Sequence, residues 1–549
     1  MSIVDVLIVG SGFGGAVSAA RLGQHLGPMK RSVVVLERGR DHVGSFDARS
    51  SGGKPNMQGN RMKQTLAPAY TAEVTRLYTD SDGAWKKGTP SMTVATGQGL
   101  GGGSNAYDGV SLRAPTVSFE QQRDGARLWP AVYTRAALNP FYDVVEARLK
   151  VAAPAWTDAS APHWQLATKR DLAFAEGCAK IGAAAAPLKL ADDNDANEGW
   201  WNQGQRFSGR QTLTKNYLQD ARDAGVSFFT GHDVTKIEKR KGGGYVVSGK
   251  DSRGGAPVDF RFECRVLVIA SGAVGSSGLL LSARDTIPEL GALPMLGKRL
   301  SGNGDFGVNG LVGDAYARPV HGMKGKPMSS FCPSFFAEHQ FILIPFYAAP
   351  LYLALGKPAS FLRADTDRFS RGDVGVAKDE GGAEERPYGA DYKKRLRAFG
   401  DKTLTMGCLA LDDGEGEVVL GRLGTEVRWR ETSSATNARW STAFQAMQKI
   451  YAALGGEMYL DAYRKDGTVS TAHPLGGCAM GNDASTGVVS DKGEVFGLPN
   501  LFVIDGGLIP SALGVNPSLT IAAVAERITD AVIKGAGTTA LDARLTAIA

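Results

Sequence analysis

Three glycines near the start of the chain have the spacing of a turn that holds a dinucleotide pyrophosphate. The pattern Gly10-x-Gly12-x-x-Gly15 follows a short apolar run, Val6 to Val9, and precedes an alanine-rich helical pattern. This fingerprint requires a strand, a glycine turn and a helix, because the free N–H groups of the helix N-terminus face the phosphates. The alternative interpretation is a glycine turn within an ordinary α/β unit.

A carboxylate at the end of the next predicted strand supports the dinucleotide interpretation. The apolar run from Val33 to Leu36 ends at Glu37, which lies 22 residues after Gly15. An acid that binds the adenosine ribose hydroxyls is expected at about this distance. The sequence therefore predicts a site for the adenine end of a dinucleotide.

A second glycine-rich stretch, residues 97–109, has the composition of a loop that approaches a ligand closely. Six of its 13 residues are glycines, and β-type residues flank it at 93–95 and 110–112. Because glycine has no Cβ, neighbouring backbone N–H groups can converge on a bound group. A plain flexible loop is the alternative, although the flanking composition is not that of a linker.

The last 80 residues carry the remaining side chains that are suited to chemistry. His473 lies in a turn of small residues, and a lone histidine in such a place is more often structural than catalytic. Asp505-Gly506 ends a predicted strand, and Asn516-Pro517 precedes a predicted helix over 520–533. Proline suits the first position of a helix, and the helix N-terminus favours an anion.

The elements that must position these residues come from separate parts of the chain. Periodicity predicts helices over 129–151, 212–224, 276–283 and 435–454, and strands over 226–230, 234–238, 245–248 and 262–272. The last of these strands ends in glycine before a helix, so it joins the N-terminal strands in one parallel sheet. Strand-like runs at 341–344, 404–411, 417–420 and 426–429 predict an antiparallel sheet within 301–465. The predicted fold is an α/β Rossmann-like domain with an inserted α+β domain.

Composition excludes several classes of protein. The 549 residues are 43% hydrophobic, and the net charge of +6 comes without a dense basic block, which argues against nucleic-acid binding. The five cysteines are odd in number and far apart, which argues against a disulfide framework or a cysteine metal site. No leader pattern precedes the first strand, so we expect a cytoplasmic protein. No apolar stretch reaches roughly 18 residues, so we expect no stable membrane insertion.

Three stretches have roles that the sequence leaves open. Residues 45–95 are polar and weakly periodic, which favours loops and short helices that cover a bound cofactor. The apolar stretch 341–356 is either buried strand and loop or a wall of an apolar substrate cavity. The pair Trp200-Trp201 either packs under a lid or lies on the surface.

Four motifs together resemble the glucose–methanol–choline (GMC) family of flavin oxidoreductases, and within it the cholesterol oxidase-like branch. They occur in the family's order and span nearly the whole chain, whereas residues 301–465 match only weakly. The motifs are Gly10-Ser11-Gly12-Phe13-Gly14-Gly15 with Glu37, Gly101-Gly102-Gly103-Ser104-Asn105, His473-Pro474-Leu475-Gly476-Gly477-Cys478, and Asp505-Gly506 through Gly514-Val515-Asn516-Pro517.

The resemblance implies non-covalently bound FAD. A helix N-terminus at the flavin pyrimidine edge stabilises the negative charge of the reduced flavin. The residues implied to bind FAD are Gly10, Gly12, Phe13, Gly14 and Gly15 in the first turn, Glu37 at the adenosine ribose, Val234 as a backbone contact to adenine, Gly103, Ser104 and Asn105 near the isoalloxazine, Asp505 and Gly506 near the pyrophosphate or ribityl chain, and Asn516, Pro517 and Ser518 at the pyrimidine edge.

The resemblance also implies that His473 and Asn516 form the catalytic pair. Alcohol oxidation requires a proton to leave oxygen as a hydride leaves carbon. His473 would accept that proton, directly or through a water, or else hold the hydroxyl in place. Asn516 would bind the substrate oxygen or polarise the flavin.

The sequence departs from the family pattern at two places. The resemblance predicts a carboxylate on the substrate side, for which Glu338, Asp412 and Asp413 are candidates that no motif distinguishes. The cysteine cluster that some relatives carry before a segment like 214–218 is absent, so we predict no metal site. These departures, with the missing leader, separate the chain from secreted sterol oxidases.

The prediction is an FAD-dependent oxidoreductase that acts on a bulky, largely apolar alcohol and passes electrons to dioxygen or a separate carrier. The alternatives are an isomerase, lyase or photodecarboxylase on the same fold, a non-catalytic FAD-binding protein and a nicotinamide-dependent dehydrogenase. The predicted domains are an FAD-binding domain of residues 1–45, 90–115, 205–300 and 466–549, covering loops at 46–89, and a substrate-binding domain of residues 116–204 and 301–465.

Overall fold

The computed structural model gives the fold for most of the chain. The part before residue 75 that was predicted to cover a cofactor, the pair Trp200-Trp201 and the apolar residues after Phe346 lie outside the described residues. The residues described are 3–41, 75–79, 91–153, 168–192, 210–254, 256–314, 316–322, 328–346, 362–363, 401–422, 424–429, 432–460, 468–535 and 539–548.

The helices are mostly short and are distributed along the whole chain. The bounds are α1 Phe13–Leu26, α2 Arg135–Arg148, α3 Lys169–Lys180, α4 Tyr217–Asp223, α5 Gly272–Ser282, α6 Phe336–His339, α7 Ser434–Ala453, α8 Ser518–Lys534 and α9 Leu541–Ala547.

The strands fall into two larger sheets and several small ones. The bounds are β1 Val4–Val9, β2 Val33–Glu37, β3 Thr75–Thr79, β4 Ser91–Gly97, β5 Gln122–Arg123, β6 Ala126–Arg127, β7 Val151–Ala152, β8 Ala186–Pro187, β9 Leu190–Ala191, β10 Ser227–Thr230, β11 His232–Lys239, β12 Tyr245–Asp251, β13 Val258–Ile269, β14 Phe306–Leu311, β15 Ser330–Phe331, β16 Phe341–Phe346, β17 Leu362–Arg363, β18 Thr403–Ala410, β19 Glu417–Gly421, β20 Gly424–Arg428, β21 Glu457–Leu460, β22 Thr468–Thr471 and β23 Leu501–Val503.

The largest sheet has seven strands, in the order β10-β2-β1-β13-β12-β11, with β23 also paired to β13. The pairings among β10, β2, β1, β13 and β23 are parallel, whereas β12 pairs antiparallel with both β13 and β11. The sheet is therefore mixed rather than wholly parallel, because β11 and β12 form a hairpin. Every residue of β1 is buried, as expected for a central strand covered on both faces.

Parallel pairing brings the ends of distant segments to one edge of this sheet. Strands β1, β2, β13 and β23 end at Val9, Glu37, Ile269 and Val503, and their carboxyl ends share that edge. Ligands of open α/β sheets bind at the carboxyl ends of the strands. The glycine turn after β1, Glu37 at the end of β2 and Asp505-Gly506 after β23 therefore face the same region.

A smaller sheet places His473 beside the glycine-rich stretch. Strand β22 pairs parallel with β4, and Thr471 lies opposite Val94. Strand β4 leads into the stretch 97–109, and β22 leads to His473 two residues beyond its end. Segments that are far apart in the sequence thus leave adjacent strands in the same direction.

The predicted antiparallel sheet is present within residues 301–465. Its five strands follow the order β16-β18-β14-β21-β17, and each pairing is antiparallel. The first part of the apolar stretch, Phe341–Phe346, forms edge strand β16, where Pro345 is tolerated. Residues Phe341 to Ile344 are buried, so the interpretation as a buried strand holds for this part.

The runs near 417 and 426 form a separate hairpin, β19-β20, rather than part of the five-stranded sheet. This hairpin packs against α5, where a Cβ at Gly278 would lie 2.3 Å from the Thr425 hydroxyl oxygen.

Two predicted helices also differ from the structure at their N-terminal ends. The helix expected over 212–224 is divided at Asn216, which caps α4 by accepting from the Tyr217 N–H. Helix α8 begins at Ser518, so Pro517 is its N-cap and not its first residue.

Candidate active site

The glycines of the first turn differ in their surroundings: three are packed closely against other backbone atoms, and one is not. Cβ atoms at Gly10, Gly14 and Gly15 would lie 2.3 Å from the Ala270 carbonyl oxygen, 1.7 Å from that of Ile504 and 2.1 Å from that of Gly10. These three glycines therefore permit close approach between segments of the protein. Gly12 differs, because a Cβ built there meets no atom of another described residue within 4 Å. The open side of the turn is at Gly12, where α1 begins.

The Glu37 carboxylate binds three segments of the protein together. Oε2 accepts from the N–H and the hydroxyl of Ser11, at 3.2 and 2.6 Å, and Oε1 accepts from the N–H groups of Gly39 and Gly99, at 2.8 and 3.3 Å. A carboxylate has about four lone-pair positions, so these donors occupy them. A ribose hydroxyl that binds Glu37 would have to replace one of these four donors. The Gly99 N–H makes the longest of the four hydrogen bonds, at 3.3 Å.

The glycine-rich stretch lies across the first turn. The Gly101 N–H donates to the Ser11 hydroxyl at 3.0 Å, and a Cβ at Gly102 would lie 2.7 Å from the Gly12 Cα. Residues 102–105 form a 3₁₀ turn, and in the part of the chain that the structure describes a Cβ at Gly103 would meet no other residue within 4 Å. Gly12 and Gly103 thus present two open glycine faces in neighbouring segments.

The side chains of Ser104 and Asn105 hold this stretch in shape. The Ser104 hydroxyl donates to the Gly101 carbonyl at 2.8 Å and accepts from the Leu213 N–H at 3.1 Å. The Asn105 amide donates to the Leu100 carbonyl at 3.0 Å. Their role at a flavin ring remains a prediction.

Asp505 lies where the two strand–glycine–helix units meet. Its Oδ2 accepts from the Gly272 N–H at 2.8 Å and the Ser276 hydroxyl at 2.5 Å, at the start of α5, and its Oδ1 accepts from the Gly507 N–H at 2.7 Å. Burial raises the pKa of Asp505 to about 6, although these three hydrogen bonds act in the opposite direction. The Gly506 carbonyl accepts from the Gly476 N–H at 3.0 Å, which joins this segment to the His473 turn.

His473 is held between two polar side chains. Its Nδ1 lies 2.7 Å from Asp305 Oδ2, and its Nε2 lies 3.1 Å from Asn516 Nδ2. A carboxylate accepts only, so Nδ1–H donates to Asp305 and Nε2 of the neutral ring carries the lone pair that accepts from Asn516. The His473 side chain is 25% exposed.

Asn516 directly precedes the N-terminus of α8. Its Nδ2 faces His473, and its Oδ1 is a buried atom that accepts no hydrogen bond from the described residues. Two residues further on, the Ser518 hydroxyl donates to the Val110 carbonyl at 3.4 Å, at the end of the glycine-rich stretch. The structure therefore brings together His473, Asn516, Pro517 and Ser518.

Val234 lies in β11, opposite Gly249, where the register of the hairpin shifts between Val234 and Lys236. Nearby, the Gly231 N–H donates to the Gly39 carbonyl at 3.0 Å. Val234 is thus close in sequence to a residue that contacts the segment after Glu37. Its contact with adenine remains a prediction.

The carboxylate beside His473 is Asp305, which the sequence analysis did not select. Of the candidates named there, Asp412 accepts from the Gly304 N–H at 2.8 Å, and Asp413 accepts from the Ser433 hydroxyl at 2.5 Å. Glu338 is exposed and lies 3.7 Å from His339. Asp305 ends the segment Ser-Gly-Asn-Gly-Asp before a strand, and this alternation of small and polar residues was the available signal.

Two absences apply to the part of the chain that the structure describes. Within it, no group of His, Cys, Asp and Glu side chains has an arrangement that could hold a metal ion. No helix among the same residues combines the length and the hydropathy needed to cross a membrane.

Two family models, both described as GMC oxidoreductase, match residues 4–301 and 423–525. The chain belongs to the GMC oxidoreductase family. It is therefore an oxidoreductase of a flavoprotein family, and the resemblance seen in the four motifs is confirmed. The two matches include the first glycine turn, Glu37, His473 and Asn516.

The chain is similar to characterised enzymes over most of its length. It is 27% identical to a cholesterol oxidase of Mycobacterium tuberculosis over 95% of this chain and 90% of that protein. It is 24% identical to a long-chain-alcohol oxidase of Arabidopsis thaliana over 96% of this chain and 67% of that protein. Its fold is similar to the crystal structure of pyridoxine 4-oxidase from Mesorbium loti, with a TM-score of 0.63, 18% identity, and coverage of 96% of this chain and 98% of the other.

The geometry of this GMC oxidoreductase is compatible with FAD. Gly12 and Gly103 lie in adjacent segments, and a Cβ at either would meet no other described residue within 4 Å, so these segments leave space for a dinucleotide. Asn516 adds a buried acceptor atom without a partner among the described residues. Both features fit a bound group that passes from the first glycine turn to the His473 side of the sheet edge.

Proposed function

We propose that this protein oxidises the CH–OH group of an alcohol to a carbonyl, with non-covalently bound FAD and with His473 and Asn516 as the catalytic pair. The observation that supports this most directly is the pairing of His473 Nε2 with Asn516 Nδ2 at 3.1 Å, while Asp305 occupies Nδ1. When a substrate hydroxyl replaces the hydrogen bond between these two groups, it meets an accepting nitrogen and a donating amide beside each other. Both are needed by one substrate hydroxyl group.

In the proposed mechanism, the substrate hydroxyl lies between the two side chains. Its O–H donates to His473 Nε2, directly or through one water, and its oxygen accepts from Asn516 Nδ2–H. As the proton moves to Nε2, the amide of Asn516 stabilises the negative charge that develops on oxygen. When bound, FAD supplies the acceptor for the hydride that leaves the carbinol carbon.

We propose that residues 1–45, 90–115, 205–300 and 466–549 form the FAD-binding domain. The residues that would hold FAD are the first turn around Gly12, the segment 103–105, Glu37, Val234, Asp505-Gly506 and the start of α8. Residues 46–89 would cover the cofactor. Residues 116–204 and 301–465, which include the five-stranded antiparallel sheet, would bind the substrate.

The substrate class that we favour is a bulky, largely apolar alcohol. The related enzymes named for cholesterol and for long-chain alcohols match this chain over most of its length. The apolar strand β16 forms the edge of the antiparallel sheet and leads into the apolar residues after Phe346. Dioxygen or a separate electron carrier would then reoxidise the flavin.

The experiment is an anaerobic reduction assay with the purified protein after addition of FAD. Cholesterol, a long-chain primary alcohol and the polar alcohol pyridoxine are each added, and loss of flavin absorbance is followed against time. We expect bleaching with at least one alcohol, and faster bleaching with the apolar ones. Parallel assays under air record hydrogen peroxide, and an artificial dye tests for a carrier-dependent dehydrogenase.

Each result has a defined meaning. Bleaching by pyridoxine alone would contradict the apolar substrate class but retain alcohol oxidation. Substrate turnover without any bleaching would favour an isomerase or lyase, and turnover that requires light would favour a photodecarboxylase. A colourless protein that does not bind added FAD would refute the proposed function as a whole.

A further inference from the structure

One short segment, Ser301 to Asp305, contacts two parts of the chain: the turn that carries His473 and the residues that precede Asn516. Its first residue pairs with the His473 turn, since the Ser301 N–H donates to the Leu475 carbonyl at 2.8 Å and the Leu475 N–H donates back at 3.1 Å. Its middle residue, Asn303, contacts the residues that lead to Asn516. It ends at Asp305, which contacts His473 itself.

Asn303 binds the three residues that precede Asn516. Its Oδ1 accepts from the N–H groups of Leu513 and Gly514, at 2.8 and 3.0 Å, and its Nδ2 donates to the Val515 carbonyl at 2.8 Å. Asn303 is fully buried and has a positive φ of 57°, a conformation in which asparagine is enriched. The amide thus fixes the backbone from which Asn516 projects.

Asp305 binds the ring of His473 and the strand that leads to it. Its Oδ2 accepts from His473 Nδ1–H and from the Thr471 hydroxyl, each at 2.7 Å. The Thr471 hydroxyl also accepts from the His473 N–H at 2.8 Å. Backbone and ring of His473 are therefore held by one connected set of hydrogen bonds.

The segment from Ser301 to Asp305 is itself held by hydrogen bonds from Asp412, Trp440 and Ala410. The Gly304 N–H donates to Asp412 Oδ2 at 2.8 Å, and the Gly304 carbonyl accepts from the indole N–H of Trp440 at 3.2 Å. The Asn303 carbonyl accepts from the Ala410 N–H at 3.1 Å. Because Ala410 ends β18 and Trp440 lies in α7, the segment is anchored to other elements of residues 301–465, the region we assign to substrate binding.

We propose that Ser301 to Asp305 is the positioning segment of the active site, in which Asp305 orients His473 and Asn303 orients Asn516. This inference rests on the proposed function, because it assigns a role toward the same pair. Asp305 keeps the proton on Nδ1, so that the Nε2 lone pair faces the substrate hydroxyl. Once Nε2 has accepted the hydroxyl proton, the adjacent carboxylate stabilises the imidazolium charge. Asn303 and Asp305 are positioning residues, since neither contacts the reacting atoms.

Isosteric substitutions test the two halves of the segment. In Asp305→Asn, the neutral amide removes the charge and no longer selects Nδ1–H, so we expect the rate of anaerobic flavin bleaching to fall at least about 100-fold, the lower end of the contribution of a positioned proton acceptor. In Asn303→Asp, the two accepted bonds remain but the bond to the Val515 carbonyl is lost. The matched control is Asp542→Asn, which removes the partly exposed carboxylate of a different histidine–aspartate pair, 3.2 Å from His25 Nε2.

A proton NMR measurement provides a readout other than activity. The hydrogen bond between Nδ1–H and a carboxylate is charge-assisted, so its proton should resonate at low field. We expect this resonance in the unmodified protein, in Asp542→Asn and in Asn303→Asp, and its loss in Asp305→Asn and in His473→Asn. FAD content and melting temperature are recorded for every variant, so that a failure to fold is recognised.

Outcomes for the two proposals are separate. If the unmodified enzyme bleaches and Asp305→Asn bleaches at the same rate, the positioning role of Asp305 is wrong while the proposed function stands. If Asn303→Asp retains the full rate, the role assigned to Asn303 is wrong. If no alcohol bleaches the unmodified protein, the proposed function fails, and with it the catalytic meaning of the segment, whether or not the resonance shows the His473–Asp305 bond.

Discussion

The hydroxyl of Ser11 donates a 2.6 Å hydrogen bond to Glu37 Oε2, and the Ser11 hydroxyl oxygen accepts from the Gly101 N–H at 3.0 Å. This relationship joins the turn after β1, the end of β2 and the glycine-rich stretch after β4. A residue expected to serve the adenosine ribose thus also organises the protein around the proposed cofactor site. The same side chain should affect both stability and FAD binding.

Replacement of Glu37 by glutamine tests this double role. The amide NH₂ would face backbone N–H donors on one side, and a buried unsatisfied donor costs about 1–3 kcal/mol. We expect the free energy of unfolding to fall by about 2 kcal/mol and the FAD dissociation constant to rise about tenfold or more. Chemical denaturation and FAD titration measure the two effects. The surface substitution Glu417→Gln, which breaks only an exposed pair with Lys298, should change neither.

Two neighbouring glycines separate cofactor binding from packing. A methyl group at Gly12 would contact no residue from another described segment within 4 Å, whereas one at Gly14 would lie 1.7 Å from the Ile504 carbonyl oxygen. We expect Gly12→Ala to keep the melting temperature of the FAD-free protein but to weaken FAD binding. Gly14→Ala should lower the free energy of unfolding by about 3 kcal/mol, because overpacking forces the backbone to move. Unchanged FAD affinity in Gly12→Ala would contradict the position of the cofactor site.

His473→Ala should slow the chemical step without removing FAD. Loss of a positioned proton acceptor typically costs about 100- to 10,000-fold in rate. We therefore expect a decrease of this size in the rate constant of anaerobic flavin bleaching, measured by stopped-flow absorbance, with an unchanged flavin-to-protein ratio. Equal rates in the variant and the unmodified enzyme would show that His473 does not accept the proton.

Stability should depend on pH through Asp412. Burial, with the charge of Glu415 as a second cause, raises the pKa of Asp412 to about 7, above the value of about 3.9 in an unfolded chain. The folded state therefore binds more protons between these values, so the contribution of this group to the free energy of unfolding decreases as pH rises from about 4 to 7 and stays low above that. The full difference is about 4 kcal/mol.

The comparison with Asp412→Asn isolates this effect from other titrating groups. Asparagine does not ionise, so the stability of the variant minus that of the unmodified protein should increase as pH rises from 5 to 8. Denaturant unfolding at several pH values gives this difference. A difference that does not change with pH would show that Asp412 does not titrate in this range.

Local patterns were sufficient for the elements that carry the motifs. The glycine turn, the apolar strands around it and Glu37 are close in sequence, so their arrangement follows from short-range rules. Helix α7 was predicted over 435–454 and is found at Ser434–Ala453, because its apolar spacing is regular. The hairpin β11-β12 made the main sheet mixed, which alternation within single strands does not reveal.

The carboxylate that contacts His473 could not be predicted from short-range sequence patterns. Asp305 lies 168 residues before it, and the contact depends on how β14 and β22 are placed in different sheets. Glu338, Asp412 and Asp413 were chosen by residue type and region alone. Burial and hydrogen bonding distinguish them only in three dimensions, where Asp412 binds the Gly304 backbone instead of the histidine.

The pairing of β23 with β13, and of α8 with α1, also has a consequence for the synthesis of this protein. The central strands cannot obtain their full set of neighbours until the last part of the chain has left the ribosome. Until then, apolar residues of β13 and α1 lack the neighbours that cover them in the folded protein. Such long-range closure slows folding and favours aggregation of incomplete chains. Expression yield should therefore depend on translation rate and chaperone supply more than on the strength of the N-terminal motif.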